Sequence, residues 1–265
     1  VLIRKLTFQG CNIYDLEMLL SNFSPQRYLC REALRQTLRP RSRLVAVTAM
    51  ASTVVYVKGD PVANKLGDCP FCHRVLLTYE RKKVPYTMEF IDFANKPAWL
   101  QEASGGKVPV IKEDGKPYMP DSDVIVVHLE NEYPEPSMKS SVPPEIGAKL
   151  FPAFRGVLMG PPEEQAEKQA LLVSELKAIN DYLEAHQAEG PLFGGQQINA
   201  TDAAVSPKLY HTIVALKHFK GWELPEEFVA IRRYMQAIKQ LPEWQKTDYE
   251  EATLIKGWEK HMTHH

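Results

Sequence analysis

The segment LGDCPFCHRVLLTY at positions 66–79 constrains the fold most, because a pair of cysteines stands where a strand pattern gives way to a helical one. Upstream, Thr53–Val57 is β-branched and aromatic, which is typical of a strand. Apolar side chains then recur at helical spacing from Cys72 to Tyr79, which predicts a helix from Pro70 to Lys82. Cys69 is therefore predicted to lie at the N-terminus of a helix that follows a strand.

The next fifty residues continue this alternation. Strands are predicted at 86–91, 108–111 and 116–119, and helices at 96–102 and 122–132. Asp114-Gly115 between the last two strands is a hairpin signal. The order β-α-β-α-β-β-α over about eighty residues predicts a small α/β domain at 53–133.

The chain changes character after this domain. Residues 134–144 are rich in proline and are interpreted as a linker. Residues 145–260 carry apolar stripes at helical spacing only, which predicts an all-helical domain. Its first helix is expected to start near Ile146, with a kink at Pro152. Further helices are expected from Asn199 to His218, where Asn199 and Asp202 have capping-box spacing, and from Glu226 and Tyr249.

Residues 1–50 differ in charge from the rest of the chain. They contain eight basic residues and three acidic ones and end in a small apolar run, whereas the whole chain has a formal net charge of −1. Such a segment is typical of an organellar transit peptide. The alternative is that the functional protein starts at Met50. In both cases residues 1–50 are expected to lie outside the fold.

The cysteine pair is more typical of redox chemistry than of metal binding. A structural zinc site needs four ligands, and the remaining cysteines, Cys11 and Cys30, both lie in residues 1–50, the predicted leader. Helix-terminal N–H groups and the helix dipole lower the pKa of a cysteine at Cys69. Cys72 lies one turn further in and should be more buried and less acidic. It is either a small core residue or a resolving thiol.

Two later features outline a ligand site. Pro109 begins a short strand after a Gly-Gly break, a natural place for a cis bond. Asp121 and Ser122 open a helix, where N–H groups and a hydroxyl can hold a carboxylate. Ordinary helix capping would also explain Asp121 and Ser122. Together with Cys69, these features are compatible with a carboxylate-bearing thiol such as glutathione.

Motifs spread over the whole folded part make a resemblance specific. They include LGDCPF (66–71), RVLLT (74–78), GKVPV (106–110), PDSDV (120–124), HFKGW (218–222) and IKGW (255–258). From about Val54 to Trp258 the chain resembles the plant and algal dehydroascorbate reductases of the glutathione S-transferase superfamily. The resemblance implies a thioredoxin-like N-terminal domain packed on an all-α C-terminal domain.

The resemblance also implies roles for individual residues. It makes Cys69 the nucleophile and Cys72 a possible resolving thiol. The residues implied in the substrate pocket are Lys58, Asp68, His211 and Trp258. The residues that match glutathione-binding positions are Lys96, Val108, Pro109, Asp121 and Ser122. The chain departs from the family at Cys72, where members usually carry serine, and at His73, commonly glutamine.

The implied reaction is the reduction of dehydroascorbate to ascorbate by two glutathiones, with oxidised glutathione as product. Glutathione is then a co-substrate, and no bound cofactor or metal is expected. Neither nucleic acid nor a membrane is an expected partner, and the protein is predicted to be a monomer. The location implied is the chloroplast stroma if residues 1–50 are a transit peptide, and the cytosol otherwise.

Two alternatives share this scaffold. One is a glutaredoxin-like thiol transferase that removes glutathione from proteins with Cys69 and Cys72. The other is a non-enzymatic protein similar to the chloride intracellular channels.

Overall fold

The computed structural model describes residues 53–262, so the predicted leader at 1–50 lies outside the described residues. The first half of this part is a mixed five-stranded sheet with three helices. The strands are β1 (Thr53–Asp60), β2 (Lys65–Leu66), β3 (Thr87–Ile91), β4 (Val110–Glu113) and β5 (Tyr118–Pro120). The helices are α1 (Pro70–Lys82), α2 (Ala98–Ser104) and α3 (Ser122–Glu132).

The central strand of the sheet is β1. It pairs parallel with β3 and antiparallel with β4, which pairs antiparallel with β5. The short β2 folds back onto the end of β1, with Gly59 opposite Leu66. This return brings the chain from the end of β1 directly to Cys69 at the start of α1. The strand end and the helix N-terminus therefore meet at one place.

The second half is built from helices alone. They are α4 (Leu150–Met159), α5 (Gln165–Ala185), α6 (Ala200–Lys220), α7 (Val229–Lys239), α8 (Pro242–Thr247) and α9 (Glu251–Met262). Apolar residues from all six enclose one core, in which Phe154 and Trp244 are fully buried. The predicted capping box at the start of α6 is confirmed, with Asn199 accepting from the N–H of Asp202 and Asp202 accepting from the N–H of Asn199.

Helix α1 lies between the two halves and contacts both of them. It packs on α3 on one side and on α6 and α8 on the other. Cys72 and Leu76 belong to the apolar core under the sheet, whereas Leu77 belongs to the core of the helical half. Because α1 is covered on both sides, side chains next to each other along it face different surroundings. The α/β layer packed on a helical half confirms the predicted fold class.

Several predicted elements were placed wrongly. Helix α4 begins at Leu150, so Pro152 lies in its first turn, where its missing N–H is not needed, and the expected kink has no cause. The helices expected from Glu226 and Tyr249 begin at Val229 and Glu251. Strand β2 and helix α8 were not predicted, because both are too short to show a period.

None of the helices in the described part is long and apolar enough to cross a bilayer.

Candidate active site

Cys69 is the N-cap residue of α1. Its backbone is extended (φ −84°, ψ 114°), and Pro70 follows within the first helical turn. The side chain is half-buried. Its pKa is lowered, chiefly by a hydrogen bond from the Cys72 thiol, against the opposing effect of burial. The backbone N–H groups of Cys72 and Phe71 and the charge of Lys58 lower it further. Cys69 is thus placed to react as a thiolate.

The second cysteine has the opposite character. Cys72 is 1% exposed and lies in the core under the sheet. Burial raises its pKa well above the ordinary value, and so does the hydrogen bond to Cys69. Its proton therefore stays on the sulfur and is available to the neighbouring thiolate. The two thiols differ because one lies at the helix tip and the other lies a turn inside.

An ion pair lies next to Cys69. Lys58, on β1, contacts Asp68, the residue before Cys69, with Nζ 2.7 Å from Oδ1. Asp68 is 6% exposed, so the pair is largely removed from solvent. Gly257 of α9 approaches the Asp68 carboxylate so closely that a Cβ at this position would lie 2.6 Å from Oδ1. Helix α9 therefore covers the ion pair, and only glycine at position 257 leaves room for the Asp68 carboxylate.

His211 and Trp258 meet on the helical side of the site. The Trp258 indole Nε1 donates to His211 Nδ1 at 2.9 Å, and His211 Nε2 lies 2.9 Å from the Tyr249 hydroxyl. Burial, with smaller effects of His73 and Lys58, lowers the pKa of His211 to about 3, so the ring is neutral. The neighbouring His73 is fully buried, with its ring 4.4 Å from Trp244 and 5.2 Å from Tyr249 between centroids.

The residues predicted for glutathione form a group beside this centre. Lys96 Nζ donates to the Gly106 carbonyl at 2.9 Å and lies 4.2 Å from the centroid of the Phe93 ring. Lys58 Nζ lies 5.4 Å from the same ring. The Val108–Pro109 bond is cis, as predicted. Val108 precedes the first residue of β4 that pairs with β1, which leaves its backbone outside the sheet ladder.

The start of α3 completes that group. Asp121 has φ 77°, unusual for a residue other than glycine, and its carboxylate accepts from the N–H of Asp123 at 2.7 Å. Ser122 is buried, and its hydroxyl lies 3.5 Å from Nη1 of Arg74, a residue of α1. Arg74 therefore ties the helix that carries Cys69 to the N-terminus of α3. Among residues 53–262, no group of three or more His, Cys, Asp or Glu side chains could hold a metal ion.

Comparisons with known proteins identify the family. Residues 68–132 match the glutathione S-transferase N-terminal domain, and residues 145–247 match the C-terminal domain. The chain is 41% identical to the chloroplastic glutathione S-transferase DHAR3 of Arabidopsis thaliana, over 82% of this chain and 83% of the relative. It is 45% identical to the probable cytosolic DHAR1 of rice, over 74% and 91%. The crystal structure of Chlamydomonas reinhardtii dehydroascorbate reductase matches at 66% identity and a TM-score of 0.78, covering 79% of this chain and 98% of that one.

The chain belongs to the dehydroascorbate reductases of the glutathione S-transferase family. A more distant relative is human chloride intracellular channel protein 3, 24% identical over 77% of this chain and 94% of the relative. Both domains of the family are matched, since residues 68–132 lie in the α/β layer and residues 145–247 lie in the helical half.

Sequence reasoning missed three residues that lie against the predicted site residues. Tyr249 was expected only as the start of a helix, but its hydroxyl contacts His211. The ring of Phe93 lies next to Lys58 and Lys96, which were both predicted as site residues, and Phe93 is 39% exposed. Gly257 sits against Asp68. Of these three residues, only Gly257 could have been found from the sequence. It lies in the IKGW motif, and a glycine inside a predicted helix is unusual. Tyr249 and Phe93 had no such local signal.

Proposed function

We propose that this protein reduces dehydroascorbate to ascorbate with glutathione, and that Cys69 is its nucleophile. The observation that carries the proposal is a half-buried thiol of lowered pKa at a helix N-terminus, beside the ion pair of Lys58 and Asp68. The names of similar proteins support the same reaction. Glutathione is the co-substrate, and the chain needs no tightly bound cofactor.

The first half of the cycle conserves charge. The Cys69 thiolate, dehydroascorbate and one water yield ascorbate monoanion and Cys69 sulfenic acid, so sulfur is oxidised by two electrons and the substrate is reduced by two. One negative charge is present before and after the step, first on sulfur and then on ascorbate. The Lys58 ammonium therefore stabilises the reactant and the product alike, and Asp68 holds it in place.

The second half restores the thiolate. One glutathione condenses with the sulfenic acid to a mixed disulfide and releases water. The thiolate of a second glutathione attacks the glutathione sulfur of that disulfide, which gives oxidised glutathione and leaves the Cys69 thiolate. Because glutathione supplies both thiols of this half, Cys72 is not required in this cycle.

The glutathione site follows from the group beside the catalytic centre. The Val108 backbone, outside the sheet ladder, pairs with the peptide-like backbone of glutathione next to Pro109. Lys96 supplies charge to one glutathione carboxylate. The N–H groups at the start of α3 and the Ser122 hydroxyl hold the other, with Asp121 keeping that helix end in place.

The test compares two substrates on one protein. Glutathione-dependent ascorbate formation, followed by its ultraviolet absorbance, is measured beside the release of glutathione from a glutathionylated peptide. We expect dehydroascorbate to be the better substrate and the Cys69→Ser variant to have no activity on it, whereas Cys72→Ser stays active. Mass spectrometry of the parent should find glutathione on Cys69. Near-parental turnover in Cys69→Ser would refute the mechanism, and leakage of liposomes without turnover would favour the channel-like alternative.

Location and assembly remain predictions. Relatives are named both chloroplastic and cytosolic, so either location fits the family. A fusion of residues 1–52 to a fluorescent protein would show whether the leader directs it to plastids. Light scattering on the purified protein would test the predicted monomer.

A further inference from the structure

The ring of Phe93 has two ammonium groups over it, one from each predicted substrate site. Lys96 Nζ lies 4.2 Å from the ring centroid, and Lys58 Nζ lies 5.4 Å from it. Both distances are within the range of about 6 Å in which the negative face of an aromatic ring attracts a cation. A single exposed aromatic side chain is ordinary, whereas one that attracts two cations from two substrate sites points to a role in those sites.

The loop that carries Phe93 is held in place by its own hydrogen bonds. Asp92 accepts from the backbone N–H of Ala94 at 2.9 Å and from the side-chain amide of Asn95 at 2.7 Å. The backbone N–H of Asn95 also donates to the Asp92 carbonyl at 3.1 Å. These bonds close a turn around Phe93, between the end of β3 and the start of α2. The ring therefore extends from a fixed backbone, although Phe93 is 39% exposed.

The two lysines depend on this ring to different degrees. Lys58 is already held by Asp68 at 2.7 Å, and its side chain is 20% exposed. Lys96 is exposed and, apart from the ring, is held by the Gly106 carbonyl, to which it donates at 2.9 Å. Fixing an exposed lysine side chain costs conformational entropy, so a second contact matters more for Lys96. Because the ring is also closer to Lys96, its removal should free Lys96 first.

We propose that Phe93 is a positioning residue for glutathione, because its ring holds the Lys96 ammonium group where it binds a glutathione carboxylate. This inference deepens the proposed function and rests on it, since Lys96 is assigned there to that carboxylate. The negative face of the ring also offsets the repulsion between the two like charges that share it. Lys58 lies beside Cys69 through its ion pair with Asp68, so the shared ring fixes the glutathione site relative to the reactive centre.

The first experiment compares two substitutions at one position. Phe93→Leu keeps an apolar side chain and removes the aromatic face, whereas Phe93→Tyr keeps the face and is the matched control. A cation–π contact at an exposed site corresponds to about a two- to five-fold change in affinity. Phe93→Leu should therefore raise the KM for glutathione by about that factor and leave kcat and the KM for dehydroascorbate close to the parental values. Phe93→Tyr should match the parent in all three constants.

A second background shows whether the effect passes through Lys96. In Lys96→Ala the ring has lost the ammonium group that it positions, so adding Phe93→Leu should not raise the KM for glutathione further. A merely structural role of Phe93 would give the same increase in both backgrounds. The inference is overturned if Phe93→Leu and Phe93→Tyr have the same KM for glutathione, or if the effects of Phe93→Leu and Lys96→Ala simply add.

A binding measurement separates this inference from the proposed reaction. Reduced glutathione is titrated into the Cys69→Ser protein, with and without each Phe93 substitution, by isothermal titration calorimetry. Phe93→Leu should weaken binding by the same two- to five-fold, and Phe93→Tyr should not weaken it. If the parent forms no ascorbate, the proposed function fails, whereas the binding pattern still decides the role of Phe93. Equal affinities in the two Phe93 variants would overturn that role.

Discussion

The close approach of Gly257 to Asp68 makes a sharp test of how α9 supports the site. The change is Gly257→Ala. The added Cβ would lie 2.6 Å from Oδ1 of Asp68 and closer still to the other two carboxylate atoms, whereas ordinary contacts begin at 3.4 Å. The carboxylate cannot move away freely, because it is buried and paired with Lys58 at 2.7 Å. Either the ion pair breaks or α9 shifts away from Asp68.

The magnitude follows from the cost of overpacking. Extra methyl groups in well-packed sites cost about 1–3 kcal/mol. If that free energy falls on the ion pair beside the thiolate, kcat/KM for dehydroascorbate should drop by about 5- to 150-fold, since about 1.36 kcal/mol is a factor of ten in rate. If it falls on helix packing instead, the melting temperature should drop. We therefore expect at least one of the two measurements to show the clash.

The matched control is Gly156→Ala in α4. There a Cβ would meet only the flexible Lys168 side chain, at 3.2 Å or more. Alanine is better than glycine inside a helix by up to about 1 kcal/mol, so this variant should be as active as the parent and no less stable. Steady-state ascorbate formation and thermal unfolding of both variants decide the matter. A Gly257→Ala protein with parental kcat/KM and parental melting temperature would refute the reasoning.

Three further predictions concern glutathione and the second thiol. Lys96→Ala should weaken glutathione binding by about 1.5–3 kcal/mol and raise the KM for glutathione more than the KM for dehydroascorbate. The control is Lys107→Ala, at an exposed neighbouring lysine, which should change neither KM. If Lys96→Ala instead raises mainly the KM for dehydroascorbate, Lys96 does not belong to the glutathione site. Cys72→Ser keeps a hydrogen-bond donor to the Cys69 thiolate, so it should keep the pH dependence of kcat/KM. Cys72→Ala loses this donor, which does most to lower the pKa of Cys69. The activity of Cys72→Ala should therefore rise only at higher pH. Peroxide without glutathione should give a Cys69–Cys72 disulfide in the parent and sulfinic Cys69 in Cys72→Ser. Equal pH profiles for the two Cys72 variants would contradict the donor role.

The sequence alone determined the elements whose ends are set by local chemistry. Helix α1 runs from Pro70 to Lys82 and α3 from Ser122 to Glu132, both as predicted. Their apolar spacing and their N-terminal residues act over a few positions, so they can be found in a single chain. The capping box of Asn199 and Asp202 was predictable for the same reason. The place of Cys69 at a helix N-terminus followed directly from α1.

Elements without such signals needed the folded chain. Strand β2 is two residues long and exists because it pairs with the end of β1. Helix α4 could not be separated from the apolar residues before it, since the stripe at Ile146 continues through a turn. Periodicity reports which side chains are buried, and a buried turn carries the same pattern as the helix that follows it.

The chemistry of the site was decided by tertiary structure. His211 and Trp258 lie 47 positions apart, and His211 and Tyr249 lie 38 apart, so no local pattern links them. Their hydrogen bonds form only because α9 and the segment before it lie against α6. The same packing removes His211 from water and so keeps it neutral. A sequence states which donors and acceptors a chain has, but their direction depends on which of them the fold buries next to each other.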